Sequence, residues 1–121
     1  MADRFQPALT VDAHGLHAIW YQRVADPQGG PDLIRTDRAD LTLAGASTGP
    51  RLINRGERTL STVSWQYLPN QCYEGDYIQV FSNGTNAFAA WTDLRNTARN
   101  SAGVLAHNDD IFSDHWPTLG L

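Results

Sequence analysis

Ala18-Ile19-Trp20-Tyr21-Gln22 and Ala89-Ala90-Trp91-Thr92-Asp93 are the two stretches whose reading decides the fold. Both put a tryptophan in a run of apolar residues that lacks the 3.6-residue spacing of an amphipathic helix. An aliphatic residue follows each tryptophan at a similar distance, Ile34 after 14 residues and Val104 after 13. Upstream of Trp20, Leu9, Val11, Leu16 and Ala18 alternate with polar or small residues, and Asp12-Ala13-His14-Gly15 supplies a turn. Residues 5–21 therefore predict a β-hairpin. A loop rich in Pro and Gly follows at 26–31, then a third short strand at 33–36. Residues 41–43 or 51–54 supply a fourth strand. The order then repeats, with a strand at 77–81, a turn at 82–85, a returning strand at 86–91, a polar loop at 92–100 and a further strand at 103–106. No segment combines both helix caps with a helical period.

The chain thus reads as an internal duplication in one domain of 121 residues. The first unit covers about 4–60, an insertion about 56–75, and the second unit about 75–121. The expected fold class is all-β, with two antiparallel four-stranded meanders built like propeller blades. Such units bury one apolar face on a neighbour, and propellers need about 4–8 of them. Two units leave sheet faces and edges open, so the chain reads either as a subunit of an oligomeric propeller or as a piece of a larger one. A two-sheet sandwich monomer is the competing architecture.

Composition narrows the partners. The formal charge is −4, and all nine positive residues are Arg. An acidic chain without Lys is a poor match for a phosphate backbone, so nucleic acid is disfavoured. No apolar run approaches about 20 residues, which disfavours a membrane-spanning helix, and residues 1–7 are polar, unlike a secretory leader. Cys72, the single cysteine, cannot form an intrachain disulfide.

Phe5-Gln6-Pro7 through Trp20-Tyr21, and Gly75-Asp76-Tyr77-Ile78 through Trp91-Thr92-Asp93-Leu94-Arg95, resemble the last two blades of the sialidase-like, BNR-repeat family of β-propellers. In that family a P-x-L-x-V-D-x-x-G strand leads to A-W-Y, and a later G-D-Y-I strand leads to W-T-D-x-R. The resemblance covers about residues 4–96, some three quarters of the chain. It implies a six-bladed propeller, which three copies of this two-blade chain would complete as a homotrimer, and whose loops at the start of each inner strand, and between the second and third strands, share one face. The family's Asp-box turn is replaced here by Arg35-Thr36-Asp37-Arg38-Ala39-Asp40-Leu41-Thr42, and its Arg-Ile-Pro motif has no counterpart.

By the same resemblance, the shared face gathers Arg4, Phe5 and Gln6 with Tyr73, Glu74, Asp76 and Tyr77, and adds Arg23, Asp26, Asp93 and Arg95. Aromatic rings stack on the C–H faces of sugars while Asp and Arg bond hydroxyls, so a glycan is the expected ligand and no cofactor is implied. Asp76 reads equally as a ligand anchor or as a cap on its strand, and Asp93 with Arg95 as a ligand pair or as an ion pair fixing a loop. Trp20 and Trp91 lie on the apolar phase of their strands and read as core anchors. Trp65 and Tyr67, in the insertion, read as a ligand platform or as a contact between copies. The types found in a sialidase site, a Tyr nucleophile with Glu, Asp and Arg, are present at Tyr73, Glu74, Asp76, Tyr77 and Arg95 without a motif spacing. The expected function is therefore carbohydrate binding without catalysis. A sialidase-type hydrolase with a site shared between copies, and a structural propeller piece with no ligand, are the alternatives. His107, Asp109, Asp110, Asp114 and His115 have no recognised metal spacing and read as a solvated tail.

Overall fold

A computed structural model describes residues 3–30, 32–44, 51–64, 78–99, 102–103 and 105–120. These residues are all-β, with no helix among them. The strands are β1 (Asp3–Asp12), β2 (Gly15–Val24), β3 (Leu33–Ala44), β4 (Arg51–Ser64), β5 (Ile78–Ser82), β6 (Asn86–Arg99) and β7 (Leu105–Pro117). They form two antiparallel meanders, a four-stranded sheet in the order β1-β2-β3-β4 and a three-stranded sheet in the order β5-β6-β7. β1 and β2 pack against β5, and β4 reaches β6, so the sheets lie face to face.

The strands run longer than the sequence alternation indicates. β3 continues from Leu33 to Ala44, and β4 carries on to Ser64 through the first part of the stretch read as an insertion. The register of β3 on β4 slips twice, between Thr36 and Asp37 and again between Ala39 and Leu41. Such bulges break the period-two pattern without ending the strand. β6 passes through the stretch read as a polar loop, with a slip between Asp93 and Asn96. The C-terminal acidic and histidine cluster is likewise no tail: residues 105–117 form β7, paired with β6 along its length. β1 has its own bulge between Phe5 and Ala8, where Gln6 takes a φ of 48° and Pro7 sits on an edge strand that needs no second ladder partner.

Period-two alternation sorts the side chains of the first sheet. His17, Ile19 and Tyr21 of β2 face the second sheet, opposite Thr10, Ala8 and Phe5 of β1 and Asp40, Arg38 and Thr36 of β3. Ala18, Trp20 and Gln22 face away. The core joins Ile19, Tyr21 and Ile34 to Ala87, Ala89, Trp91 and Trp116 of the second sheet, with Phe5, Leu60, Ile78, Val80 and Phe112 around them. Trp91 is therefore a core anchor, as read from the sequence. Trp20 is half-buried on the outer face, and Tyr21 takes the inner place beside it. The Tyr21 ring meets Phe5 at 5.6 Å, and its hydroxyl accepts a 2.9 Å hydrogen bond from the Thr92 amide across the sheet interface.

Candidate functional site

Six of the residues singled out for ligand binding, Trp65, Tyr67, Tyr73, Glu74, Asp76 and Tyr77, lie outside the described residues. So does Cys72. Of the others, Asp93 and Arg95 lie within β6, whereas Arg23 falls at the end of the first sheet where β1 starts and β2 finishes. Arg23 is exposed there, and its Nε donates to Asp32 Oδ2 at 2.7 Å across the β2–β3 connection. Asp26 shapes that connection, its carboxylate accepting from the Gln28 amide at 2.9 Å and its carbonyl from the Gly29 amide at 3.0 Å. Asp93 is buried and accepts from the Trp91 indole at 3.3 Å, an i, i+2 bond along one face of β6. Arg95 lies two residues further along β6.

Beside this end, the outer face of the first sheet carries a polar and aromatic array. Gln22 Oε1 accepts from the Trp20 indole at 3.3 Å and from Arg4 Nε at 3.2 Å. The Arg4 guanidinium lies 6.0 Å from the Trp20 ring centroid and 3.6 Å from Glu57. Arg35 donates to Asp37 at 2.6 Å on the same face. Two buried atoms of that pair, Arg35 Nε and Asp37 Oδ1, have no hydrogen-bond partner.

A second constellation, at the opposite end and between the sheets, was not singled out from the sequence. His17 is fully buried, and its Nδ1 donates to Asp40 Oδ1 at 2.7 Å. Its Nε2 lies 3.0 Å from Asp12 Oδ1, off the line of a hydrogen bond. Asp40 also accepts from the Trp116 indole at 2.9 Å and from Arg38 Nη1 at 2.8 Å, while the Arg38 guanidinium covers the Trp116 ring at 4.3 Å. Asp12 accepts from the Ser82 hydroxyl, the Thr118 hydroxyl at 2.9 Å and the His14 amide at 2.8 Å. Both carboxylates thus belong to the first sheet while Ser82, Trp116 and Thr118 belong to the second. Burial pushes the Asp12 carboxyl upward. Ser82, His17, the His14 amide and Thr118 together outweigh it and hold the group well below the usual carboxylate range. Burial pulls the Arg38 guanidinium below its ordinary value, with the Asp40 carboxylate acting against that pull. The available signal was the phase of His17 and Asp40, which share the inward row with Ile19 and Ile34.

Chemically, this buried set joins the sheets. Its Ser, His and Asp are the types of a nucleophilic triad, yet Ser82 is bonded to Asp12 and not to His17, so the histidine is not placed to take the hydroxyl proton. Among the described residues no group of three His, Cys, Asp or Glu side chains is arranged to hold a metal ion. No family model, no curated protein and no solved structure matches this chain.

Proposed function

We propose that this chain is a non-catalytic, carbohydrate-binding module built from two sialidase-like propeller blades. The observation that carries the reading is the cluster at one end of the first sheet. There Trp20 presents a half-exposed indole beside Arg4, Gln22 and Glu57, with the exposed Arg23–Asp32 pair at the finish of the same strand. An aromatic face flanked by guanidinium and carboxylate groups, with the buried Gln22 amide holding Trp20 and Arg4 in place, is what a pyranose needs: a flat apolar surface for its C–H face and directional partners for its hydroxyls. The absence of catalysis is supported by how the acids and bases of the described residues are used. His17, Asp40 and Asp93 are buried and bonded within the fold, and Asp12 is tied down by three donors.

The test is a glycan array on the intact chain followed by calorimetric titration of the best hit. An Arg4→Ala, Arg23→Ala double variant, folded by circular dichroism, is expected to lose at least tenfold in affinity. An array at background throughout overturns the reading. So does turnover of a fluorogenic sialoside that vanishes in Tyr77→Phe or Glu74→Gln, since that result makes the chain a hydrolase.

A further inference from the structure

The duplicated motif has the same local geometry in both sheets, but its two copies face different surroundings. In each, the indole of a tryptophan donates to the side chain two residues later: Trp20 to Gln22 at 3.3 Å, and Trp91 to Asp93 at 3.3 Å. The Trp91 face of the second sheet is covered by the Tyr21 face of the first, whose hydroxyl reaches the backbone of Thr92. Position by position, Tyr21 of the first unit corresponds to Thr92 of the second, and Trp20 to Trp91. The interface inside the chain therefore joins the Tyr21-type face of one unit to the Trp-type face of the next. The two faces outside this interface are the Trp20 face of the first sheet, where Ala18, Gln22, Asp37 and Ala39 are buried and the exposed apolar residues are Leu9, Val11 and Leu43, and the face of the second sheet that carries the buried Thr92. They are the counterparts of the pair already in contact.

Both outer faces carry the residues a covered sheet requires. Leu9, Val11 and Leu43 stand on the Trp20 face, and Phe81, Phe88 and Ile111 on the Thr92 face, each with 44–71% of its surface exposed. Apolar side chains clustered in this way mark a contact surface rather than the scattered exposure of a monomer. The levels also agree. Phe81 and Phe88 lie at the Ser82 end of the second sheet, and Ser82 bonds Asp12 at the β1–β2 turn. At that turn the Trp20 face has a depression of about 370 Å³ lined by Val11, Leu16, Leu43 and the turn residues. A facing sheet stacked with its ends in the same sense brings the exposed phenylalanines to this depression.

We propose that a second copy of this chain occupies the Trp20 face through its own Thr92 face, repeating head to tail the contact found inside the molecule. The inference rests on the reading of the two sheets as equivalent blades and not on carbohydrate binding. The contact centres on Leu9, Val11 and Leu43 at the β1–β2 turn end of the face, so Trp20, Arg4 and Glu57, further along it, remain at the rim and open to a ligand. A heterologous contact of this kind closes into a ring or grows as an open stack, and three copies give the six sheets of a propeller ring.

The test uses one charge on each face, Leu9→Asp and Phe88→Asp, with light scattering coupled to size exclusion at high protein concentration. Both side chains are exposed, so circular dichroism and the urea midpoint are expected to match the wild type. The wild-type chain is expected to run as an oligomer, a closed trimer having a mass of about 40 kDa from chains of 13.4 kDa. Each variant alone is expected to be monomeric, because each has lost one half of the proposed contact. An equimolar mixture is expected to give a capped heterodimer of about 27 kDa from chains of 13.4 kDa, since Leu9→Asp keeps the Thr92 face and Phe88→Asp keeps the Trp20 face. A monomeric wild type overturns the proposal. A mixture that stays monomeric also overturns it, as does either variant forming dimers alone, which identifies a face that pairs with itself. No glycan enters the measurement, so its failure is separate from failure of the carbohydrate reading.

Discussion

Asp40→Asn tests whether the buried polar set holds the two sheets together. The wild-type carboxylate takes three donors within 2.9 Å: His17 Nδ1, the Trp116 indole and Arg38 Nη1. Asparagine keeps the shape but has one acceptor oxygen and an NH2 group. If its oxygen stays with His17 and Trp116, the NH2 faces the Arg38 guanidinium, donor against donor. If the amide turns over, the NH2 faces His17 and Trp116 instead. Either orientation also removes the negative charge opposite Arg38 at a site only 4% exposed. Breaking a buried, hydrogen-bonded charge pair by changing one partner costs about 3–5 kcal/mol. That is a large fraction of the roughly 5–15 kcal/mol that holds a domain folded. With a urea m-value of about 2 kcal/mol/M, the midpoint is expected to fall by about 1.5–2.5 M. Unfolding followed by tryptophan fluorescence and by circular dichroism measures it, with Glu57→Gln on the exposed outer face as the reference expected to stay within about 0.5 M. Trp116→Phe closes a double-mutant cycle, in which coupling of about 1–2 kcal/mol to Asp40 is expected for direct partners. A midpoint shift below about 0.5 M for Asp40→Asn, or no coupling to Trp116, refutes the reasoning.

Asp12→Asn probes the same set through pH. The folded carboxyl lies below its unfolded value, so its stabilisation is fully present above the ordinary carboxylate range and is lost as pH falls toward the folded value. The gap in urea midpoint between wild type and Asp12→Asn is therefore expected to be widest at pH 6–7 and to narrow steadily below about pH 4; a gap independent of pH contradicts the assignment. Tyr21→Phe removes the acceptor of the Thr92 amide and is expected to cost about 1–3 kcal/mol in urea unfolding, with hydrogen exchange at Thr92 accelerated. Gly15 takes a φ of 146°, and a methyl group there runs into the Leu41 carbonyl oxygen of the neighbouring strand. Gly15→Ala is accordingly expected to lower stability by about 1–3 kcal/mol, whereas Gly84→Ala, with a φ of 93° but open space around it, carries the backbone strain without the clash and is expected to cost less.

The all-β class and the hairpin of residues 5–21 were legible because the alternation of Leu9, Val11, Leu16 and Ala18 around a Gly-ending turn admits one local reading. The lengths of β3, β4 and β6 were not. Each contains a point where the register slips, and a slipped strand looks like a strand followed by a loop when only alternation is read. β7 was hidden for a different reason. Its sequence from Leu105 to Pro117 holds three Asp, one Asn and one Pro, residues depleted in strands, and its place is set by pairing with β6 and by Trp116 entering the core. Of the candidate site, Arg23 and Asp93 were found by type, but their partners, Asp32 and the Trp91 indole, became visible only through the fold.

The inward and outward faces of β2 show why a polar set belongs in this interface. One face offers His17, Ile19 and Tyr21, the other Ala18, Trp20 and Gln22, so each has an aliphatic residue, an aromatic ring and a polar group. Hydrophobicity alone does not choose between them, which is why the sequence pattern pointed to Trp20 as the buried ring. A one-residue slip in pairing exchanges the two faces completely. In the slipped arrangement Asp40 loses its cross-strand partner His17 and meets Ala18 or Leu16 instead, while the buried Thr92 amide loses the Tyr21 hydroxyl that accepts from it. Leaving such buried groups unpaired costs more than exchanging Tyr21 for Trp20 in the core returns. The histidine between two carboxylates thus selects which face of β2 turns inward, and in doing so it leaves Trp20 on the outer one.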